Sequence, residues 1–334
     1  MMPEQRVLPF TQLGGCNMCK FSDHAVNVIT AKSYKGVGRA WVVRNMQSKI
    51  QPEDIVVALN SSVKGCMTTL SEFNSRKRLV AEQLMNLSSI ADGVTAIGDD
   101  NFPTVRGDVK DSDRPIVLFY KGNIALLQKG SRNVSVIGML TPDEKIQKEE
   151  ELVVDELVKK GYCIVSGLAL GCDSIAHRRT LQRKGKTVAI LPSTLQTILP
   201  AQNTSLADEI LQSCGLLVTE YMYDANSKQE LFGRYQERDR LQALFADGIV
   251  LSASYAPNDK GLDSGSRLAM SYAKTYDVPM YAVYDEQADE DNPKYGLSKM
   301  LVDAGDAVPV QPNNVCDLIE APELPRQSKQ LFLF

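Results

Sequence analysis

From Arg114 onward the chain alternates between two patterns. Short β-branched apolar runs, which suit buried strands, give way to longer stretches whose apolar positions recur every three or four residues, which suit helices packed on one face. "RPIVLFYKGNIALL" reads as two short strands around Lys121-Gly122-Asn123, a hairpin turn signal. "VSVIG" reads as a strand and "TPDEKIQKEEELVVDELVKKG" as a helix. In that helix Thr141 and Glu144 are spaced as a capping box and Pro142 falls at the first helical position. Ile146, Val153, Val154 and Leu157 share one face, and Gly161 ends the helix. The alternation continues with strand "YCIVSG", helix "DSIAHRRTLQRKG", strand "TVAIL", helix "TSLADEILQSCG" and strand "LLVTE". Helix "ERDRLQALFADG", strand "IVLSAS", helix "SGSRLAMSYAKTY", strand "VPMYAVY", helix "LSKMLVDAG" and a short strand in "AVPV" complete it. Such a series specifies an α/β fold, extended Rossmann-like, with a doubly wound and mostly parallel sheet. Its strand-to-helix turns collect on one sheet edge, where ligands bind.

The ends of the chain read differently. Residues 1–101 are polar and helical and predict a small N-terminal helical domain; 102–311 form the sheet domain. Prolines and scattered polar residues after Pro309 predict a flexible tail over 312–334. Within the helical part, Gly36 and Gly38 of "KGVGRAW" resemble the turn of a helix-hairpin-helix, which can touch a phosphate backbone.

Composition narrows the class. The 334 residues are 43% hydrophobic and 23% charged, ordinary for a globular chain of one large or two modest domains. No apolar run is long enough to span a bilayer, and "MMPEQRVLPF" lacks a secretory pattern. Seven cysteines without framework spacing suit a reducing cytosol, so a cytoplasmic protein is expected. A net charge of -4 argues against coating duplex DNA by bulk charge, while leaving room for a local basic groove. Cys16 and Cys19 form a C-x-x-C, and His24 would add a third ligand at best, so no zinc site and no cofactor are expected.

The chemistry gathers on the turns. "SGLALGCD" takes a strand into a helix, and backbone N–H groups at such a turn favour an anion such as phosphate. A tight turn capped by Asp173 or Ser174 is the simpler alternative. Gly138 follows "VSVIG", "YQERDR" brings Tyr235, Arg238 and Arg240, and "GLDSGSRLAMSYA" brings Gly265, Ser266 and Arg267. Close-approach glycines, arginine forks and an aromatic ring fit a strand of nucleic acid: phosphates on N–H groups and guanidinium, a base on the ring.

With these blocks in order, the chain resembles the DprA/Smf family of DNA-processing proteins from roughly Pro103 to Pro309. The carriers are "RPIVLFYKGN", "IVSGLALGCDSIAH", "GKTVAILPSTLQTILPAQN", "LLVTEY", "YQERDR", "DSGSRLAMSYA" and "PMYAVY". The second meets nearly every position of the family's V-S-G-x-A-x-G-x-D-x-x-A-H run. The resemblance implies binding of single-stranded DNA, a homodimer, and help in loading a RecA-type recombinase during natural transformation or a mobile-element or defence variant of that role. It adds His177 and Lys186 to the candidates, which become Gly138, Ser166, Gly167, Gly171, His177, Lys186, Tyr235, Arg238, Arg240, Gly265, Ser266 and Arg267. Three departures stand out. Gly138-Met139-Leu140 replaces the family's Gly-Ser-Arg, so one phosphate contact is missing. Tyr235-Gln236-Glu237-Arg238-Asp239-Arg240 replaces Phe-Pro-x-Arg-Asn-Arg, which weakens the local positive field. The winged-helix-like C-terminal domain of many members is expected to be absent.

An enzyme is the alternative class, because the fold also serves phosphoribohydrolases resembling the plant LOG proteins. Their P-G-G-x-G-T-x-x-E run carries a catalytic Glu that "GLDSGSRLAMSYA" lacks. His177, one helical turn after Asp173, reads as a structural pair, so binding is expected over turnover. A nucleotide-sensing module is a third reading. Finally, "QLFLF" resembles the Q-L-x-L-F peptide that docks on the β sliding clamp, with Gln330 fixing register and Leu331, Leu333 and Phe334 as anchors; the alternative is a tail that packs on its own protein, "LFLF" adding a strand to an open sheet edge.

Overall fold

The computed structural model describes residues 20–257 and 264–320. Four helices come first: α1 (Asp23–Lys32), α2 (Arg39–Met46), α3 (Pro52–Ser62) and α4 (Leu70–Met85). Local chemistry starts them. Ser22 accepts from the Ala25 N–H at the head of α1, Pro52 opens α3, and Thr69 and Glu72 form a reciprocal capping box on α4. Their apolar faces, including Val28, Val42, Leu59 and Phe73, enclose one core with Val94, Val117 and Phe119 of the first two strands.

One sheet of nine strands organises the rest: β1 (Gly93–Ala96), β2 (Val117–Gly122), β3 (Asn133–Ile137), β4 (Cys163–Ser166), β5 (Thr187–Ile190), β6 (Leu216–Thr219), β7 (Gly248–Leu251), β8 (Met280–Val283) and β9 (Val308–Val310). The spatial order is β1-β2-β6-β5-β4-β3-β7-β8-β9. β1 and β2 run antiparallel at one side, and β6 through β9 are parallel in that order. Between them lie α5 (Glu144–Lys159), α6 (Cys172–Gln182), α7 (Thr204–Gln212), α8 (Lys228–Leu244), α9 (Ser264–Thr275), α10 (Glu286–Asp289) and α11 (Gly296–Asp303), with α12 (Val315–Glu320) last. Alternate residues of a strand serve opposite layers, as the pleat requires. Val134, Ile164 and Val250 join the core under α5, whereas Ile137, Val165 and Leu251 join the core under α8 and α9.

The doubly wound α/β expectation holds, and several local readings change. β2 is flanked by β1 and β6, which leaves no slot for a hairpin mate, and "IALL" becomes a 3-10 turn capped by the Asn123 side chain. α5 is capped by Asp143, whose carboxylate accepts from the Ile146 N–H; Thr141 and Pro142 lie outside the helix. α8 starts at Lys228, well before "ERDRLQALFADG", so Tyr235, Arg238 and Arg240 sit in mid-helix. β1, within 1–101, belongs to the sheet, and α12, within 312–334, packs Val315 and Cys316 into the core beside Val153 and Leu157. No helix among the described residues is long and apolar enough to cross a membrane.

Candidate nucleic-acid interface

The winding reverses between β3 and β7. From β3 the chain builds outward through β4, β5 and β6; from β7 it builds the other way through β8 and β9. Loops leaving adjacent strands in opposite directions open a crevice at the carboxyl edge. Gly138 follows β3 there, and a Cβ on it would sit 2.5 Å from Cys172 Sγ. Ser266, in the first turn of α9, donates to the Gly138 carbonyl at 2.8 Å and fastens the two sides of the crevice.

The glycine turn after β4 holds an anion, and the anion is the protein's own. Gly167 and Ala169 donate their amides to Asp173 Oδ2 at 3.1 and 3.3 Å. Ser166 is sealed, its hydroxyl donating to the Val136 carbonyl at 2.7 Å. Asn203 Nδ2 ties down the carbonyls of Leu168 and Ala169. The N-cap of α6 is Gly171 at φ +73°, so Asp173 and Ser174 lie inside the helix and are not its cap. A Cβ on Gly171 would meet Met139 O at 2.3 Å, so glycine is demanded by conformation and space together. Gly167 is glycine for another reason: its Cβ would fall 1.3 Å from Arg238 Nη1, because the guanidinium lies against the turn. Arg238 Nη1 is 3.6 Å from Asp173, and its Nε is 3.4 Å from Asp239. Burial pushes both carboxyls up, Asp239 to about 6, while Arg238 pulls them back.

The other candidates separate. Tyr235 is half-buried on α8 with Arg238 5.8 Å from its ring centroid. Gly265 and Arg267 are exposed on the first turn of α9. Arg240 faces inward: it is 2% exposed, forks onto both oxygens of Glu220 at 2.9 Å and donates Nε to the Asp113 carbonyl. In this arrangement its donors are committed inside the protein and do not face the crevice. His177 is fully buried with Nδ1 2.7 Å from Thr187 Oγ1, so its partner is Thr187 and not Asp173. Burial lowers its pKa to about 3 and keeps it neutral. Lys186 precedes β5 and donates to the Ser213 carbonyl, which places it at the amino edge, across the sheet from the crevice. Cys16, Cys19 and the Gln330–Phe334 peptide lie outside the described residues. His24 is buried, with Nε2 2.8 Å from the Ile97 carbonyl. Among the described residues no group of His, Cys, Asp and Glu is placed to hold a metal ion.

Sequence reasoning passed over Phe232. It is 61% exposed, one turn before Tyr235, so Phe232, Tyr235 and Arg238 make a stripe at three-residue spacing down to the Gly167 turn. Leu140 and Leu170 are exposed on the two neighbouring turns, and Tyr223 is exposed on the loop after β6. A bulky aromatic on a helix already rich in charge was the available signal. Most cations here are neutralised: Arg234 by Glu230, Arg39 by Glu220 and Glu237, Lys294 by Asp143. A cavity of about 230 Å³ opens farther along the edge, lined by Phe119, Leu195, Tyr221, Met222, Tyr223 and Asp224 among others. The arrangement offers apolar rings and turns with few free charges.

The model of the family described as DNA recombination-mediator protein A matches residues 93–320. A DNA processing protein DprA of Streptococcus pneumoniae is 33% identical over 157 residues, 47% of this chain and 52% of that one. The Bacillus subtilis DprA is 30% identical over 139 residues, 42% of this chain and 45% of that one. The chain thus spans about half the length of the curated relatives it matches. The solved structure of the S. pneumoniae DprA superposes with a TM-score of 0.67 at 24% identity, covering 91% of this chain and 100% of that one, which shows a shared fold. A Helicobacter pylori DprA structure, described for its single-stranded DNA binding mode, superposes with a TM-score of 0.54 at 27% identity over 68% of this chain and 94% of that one. With the glycine turn, the switch-point crevice and the family match extending over the sheet and α12, this chain belongs to the DNA recombination-mediator protein A (DprA/Smf) family.

Proposed function

We propose that this chain binds single-stranded DNA in the carboxyl-edge crevice and acts in DNA processing and recombination by handing the strand to a RecA-type recombinase. The observation that carries the reading is the stripe of Phe232, Tyr235 and Arg238 leading to the Gly167 turn. Every base has a face that stacks on a ring, so such a stripe holds a strand with little sequence preference. Gly138, Gly265, Ser266 and Arg267 form the opposite wall and bring backbone near the phosphates. Ser166, Gly167 and Gly171 shape the turn from beneath; His177, Lys186 and Arg240 act on the fold. Turnover of nucleotides is disfavoured because the neutral His177 is sealed against Thr187 and cannot take a proton from a ligand in the crevice. The same reading includes a homodimer, a cytoplasmic setting and docking on a sliding clamp through Gln330, Leu331, Leu333 and Phe334.

The test is fluorescence anisotropy with a labelled strand and a blunt duplex over a salt series. The strand should bind tighter than the duplex. Because most edge arginines are paired internally, the salt slope should be shallow, set by about two or three phosphates at roughly 0.7 per contact. Phe232→Ala with Tyr235→Ala should weaken strand binding by about fivefold or more, since each stacked base contributes roughly 1–3 kcal/mol. Wild-type affinity in that double variant, or no strand binding at all, would sink the proposal.

A further inference from the structure

The helical domain carries the same turn twice. Tyr34-Lys35-Gly36-Val37 follows α1 and Val63-Lys64-Gly65-Cys66 follows α3. In each the fourth amide donates to the first carbonyl, Val37 to Tyr34 at 3.1 Å and Cys66 to Val63 at 3.0 Å. In each the third residue is a glycine at positive φ, +92° for Gly36 and +75° for Gly65. This is the geometry of a type II turn, which requires glycine there and presents the second residue, here lysine, at the tip. The sequence alone singled out Gly36 and Gly38; folding pairs the first turn with one 29 positions later, between Gly36 and Gly65. A Cβ on Gly36 would touch Val63 Cγ1 at 3.2 Å, so the turns abut.

Together they line an open groove of about 710 Å³, with Arg76 of α4 on its wall. Lys35, Lys64 and Arg76 are exposed, and none has a carboxylate within ion-pair distance among the described residues. The carboxyl-edge cations described above are mostly paired, whereas these three converge on one groove without an ion pair. Glu72 is the one acid lining the groove; its Oε2 accepts from the Thr69 amide at 2.8 Å and from the hydroxyls of Thr68 and Thr69, and its charge attracts Arg76, leaving the two turn lysines to set the sign of the groove. The amides of Gly36 and Gly65 have no hydrogen-bond partner among the described residues and lie on exposed backbone. No ring is offered for stacking: Tyr34 is buried and covered by the Arg76 guanidinium, 4.4 Å from its centroid.

We propose that this groove binds the phosphate backbone of duplex DNA. Paired, equivalent turns with one lysine and one free amide apiece match two phosphates, and the lack of a stacking surface disfavours unpaired bases. The duplex contact stands independently of the strand-binding reading. A preference for a junction, with strand in the crevice and duplex in the groove, rests on both.

The experiment compares a blunt duplex, a single strand and a tailed duplex on the full chain, with Lys35→Glu/Lys64→Glu as the variant. Both lysines are exposed turn tips, and thermal melting checks that the fold is kept. The wild type should bind the tailed duplex more tightly than a strand of the tail's length. The double variant should lose about tenfold on blunt and tailed duplex, with its salt slope lower by roughly two contacts at about 0.9 each, and keep its strand affinity. Unchanged duplex affinity in the double variant, or a wild type that gains nothing from the duplex arm, overturns the proposal. A wild type that binds duplex but no single strand would instead overturn only the crevice reading.

Discussion

Glu150 is the residue whose surroundings fit its chemistry least. It sits on α5 at zero exposure, and neither carboxyl oxygen has a hydrogen-bond partner among the described residues. Burial drives its pKa well up, and the nearby charge of Asp173 adds to this; Cys172 and Ser252 beside it pull the other way without winning. In the fold the carboxyl therefore keeps its proton to higher pH than in the unfolded chain. The folded state binds more protons, so stability is greatest below the ordinary carboxyl range and falls as pH rises, by up to about 1.4 kcal/mol per pH unit. Glu150→Gln supplies a neutral side chain of the same shape. It should raise the melting temperature, with the gain over wild type growing between pH 5 and pH 8 in thermal melts. A gap that does not grow with pH would mean that Glu150 is charged in the fold. His177 works in the opposite direction: its lowered pKa removes stability as pH falls from the ordinary imidazole range toward about 3.

At the scale of elements, ion pairs set how helices lie on each other. Asp155 of α5 accepts two forks, one from Arg179 within α6 and one from Arg183 just beyond it, at 2.5 to 2.7 Å. These two guanidinium groups hold its pKa down, against burial, at about 2. The contribution is fully present above the ordinary Asp range and is lost as pH falls through about 2. Asp155→Asn should cost about 1–2 kcal/mol at neutral pH by chemical denaturation, because partial exposure screens the pair. Its penalty should fade in acid, where the wild-type carboxylate is protonated too; a penalty constant down to pH 2 would point to shape in place of charge.

Across the whole molecule, Glu220 is a joint. It lies after β6, accepts the buried fork of Arg240 on α8, and reaches Arg39 of α2 at 3.4 Å, linking the sheet, its covering helix and the helical domain. Glu220→Ala would leave the Arg240 charge, 2% exposed, with Glu237 at 4.0 Å as its remaining carboxylate and should cost about 3 kcal/mol in equilibrium unfolding. A loss below 1 kcal/mol would show that Arg240 finds another partner or water. Much of this architecture was legible in one dimension, since burial on both faces writes a strand as a short apolar run and burial on one face writes a helix as a three-to-four repeat. The alternation, the carboxyl-edge turns and the glycine at 171 followed from that local logic, whereas the glycines at 138 and 167 answer to Cys172 and Arg238. Partners distant in sequence did not. The pattern "YQERDR" identifies two arginines as cations but not where they point. Helix phase and the approach of Glu220 turned Arg240 inward, and contact with the Gly167 turn buried Arg238 against Asp173. The amides that could have met a phosphate met Asp173, because the start of α6 brings that carboxylate back under its own turn. The two Lys-Gly turns are each visible as dipeptides, yet only the packing of α1 and α3 makes them neighbours. By itself the sequence determined most of the elements, their order and the edge where the glycine turns collect; the tertiary structure decided which charges remain free, because neutralisation depends on distances between residues far apart along the chain.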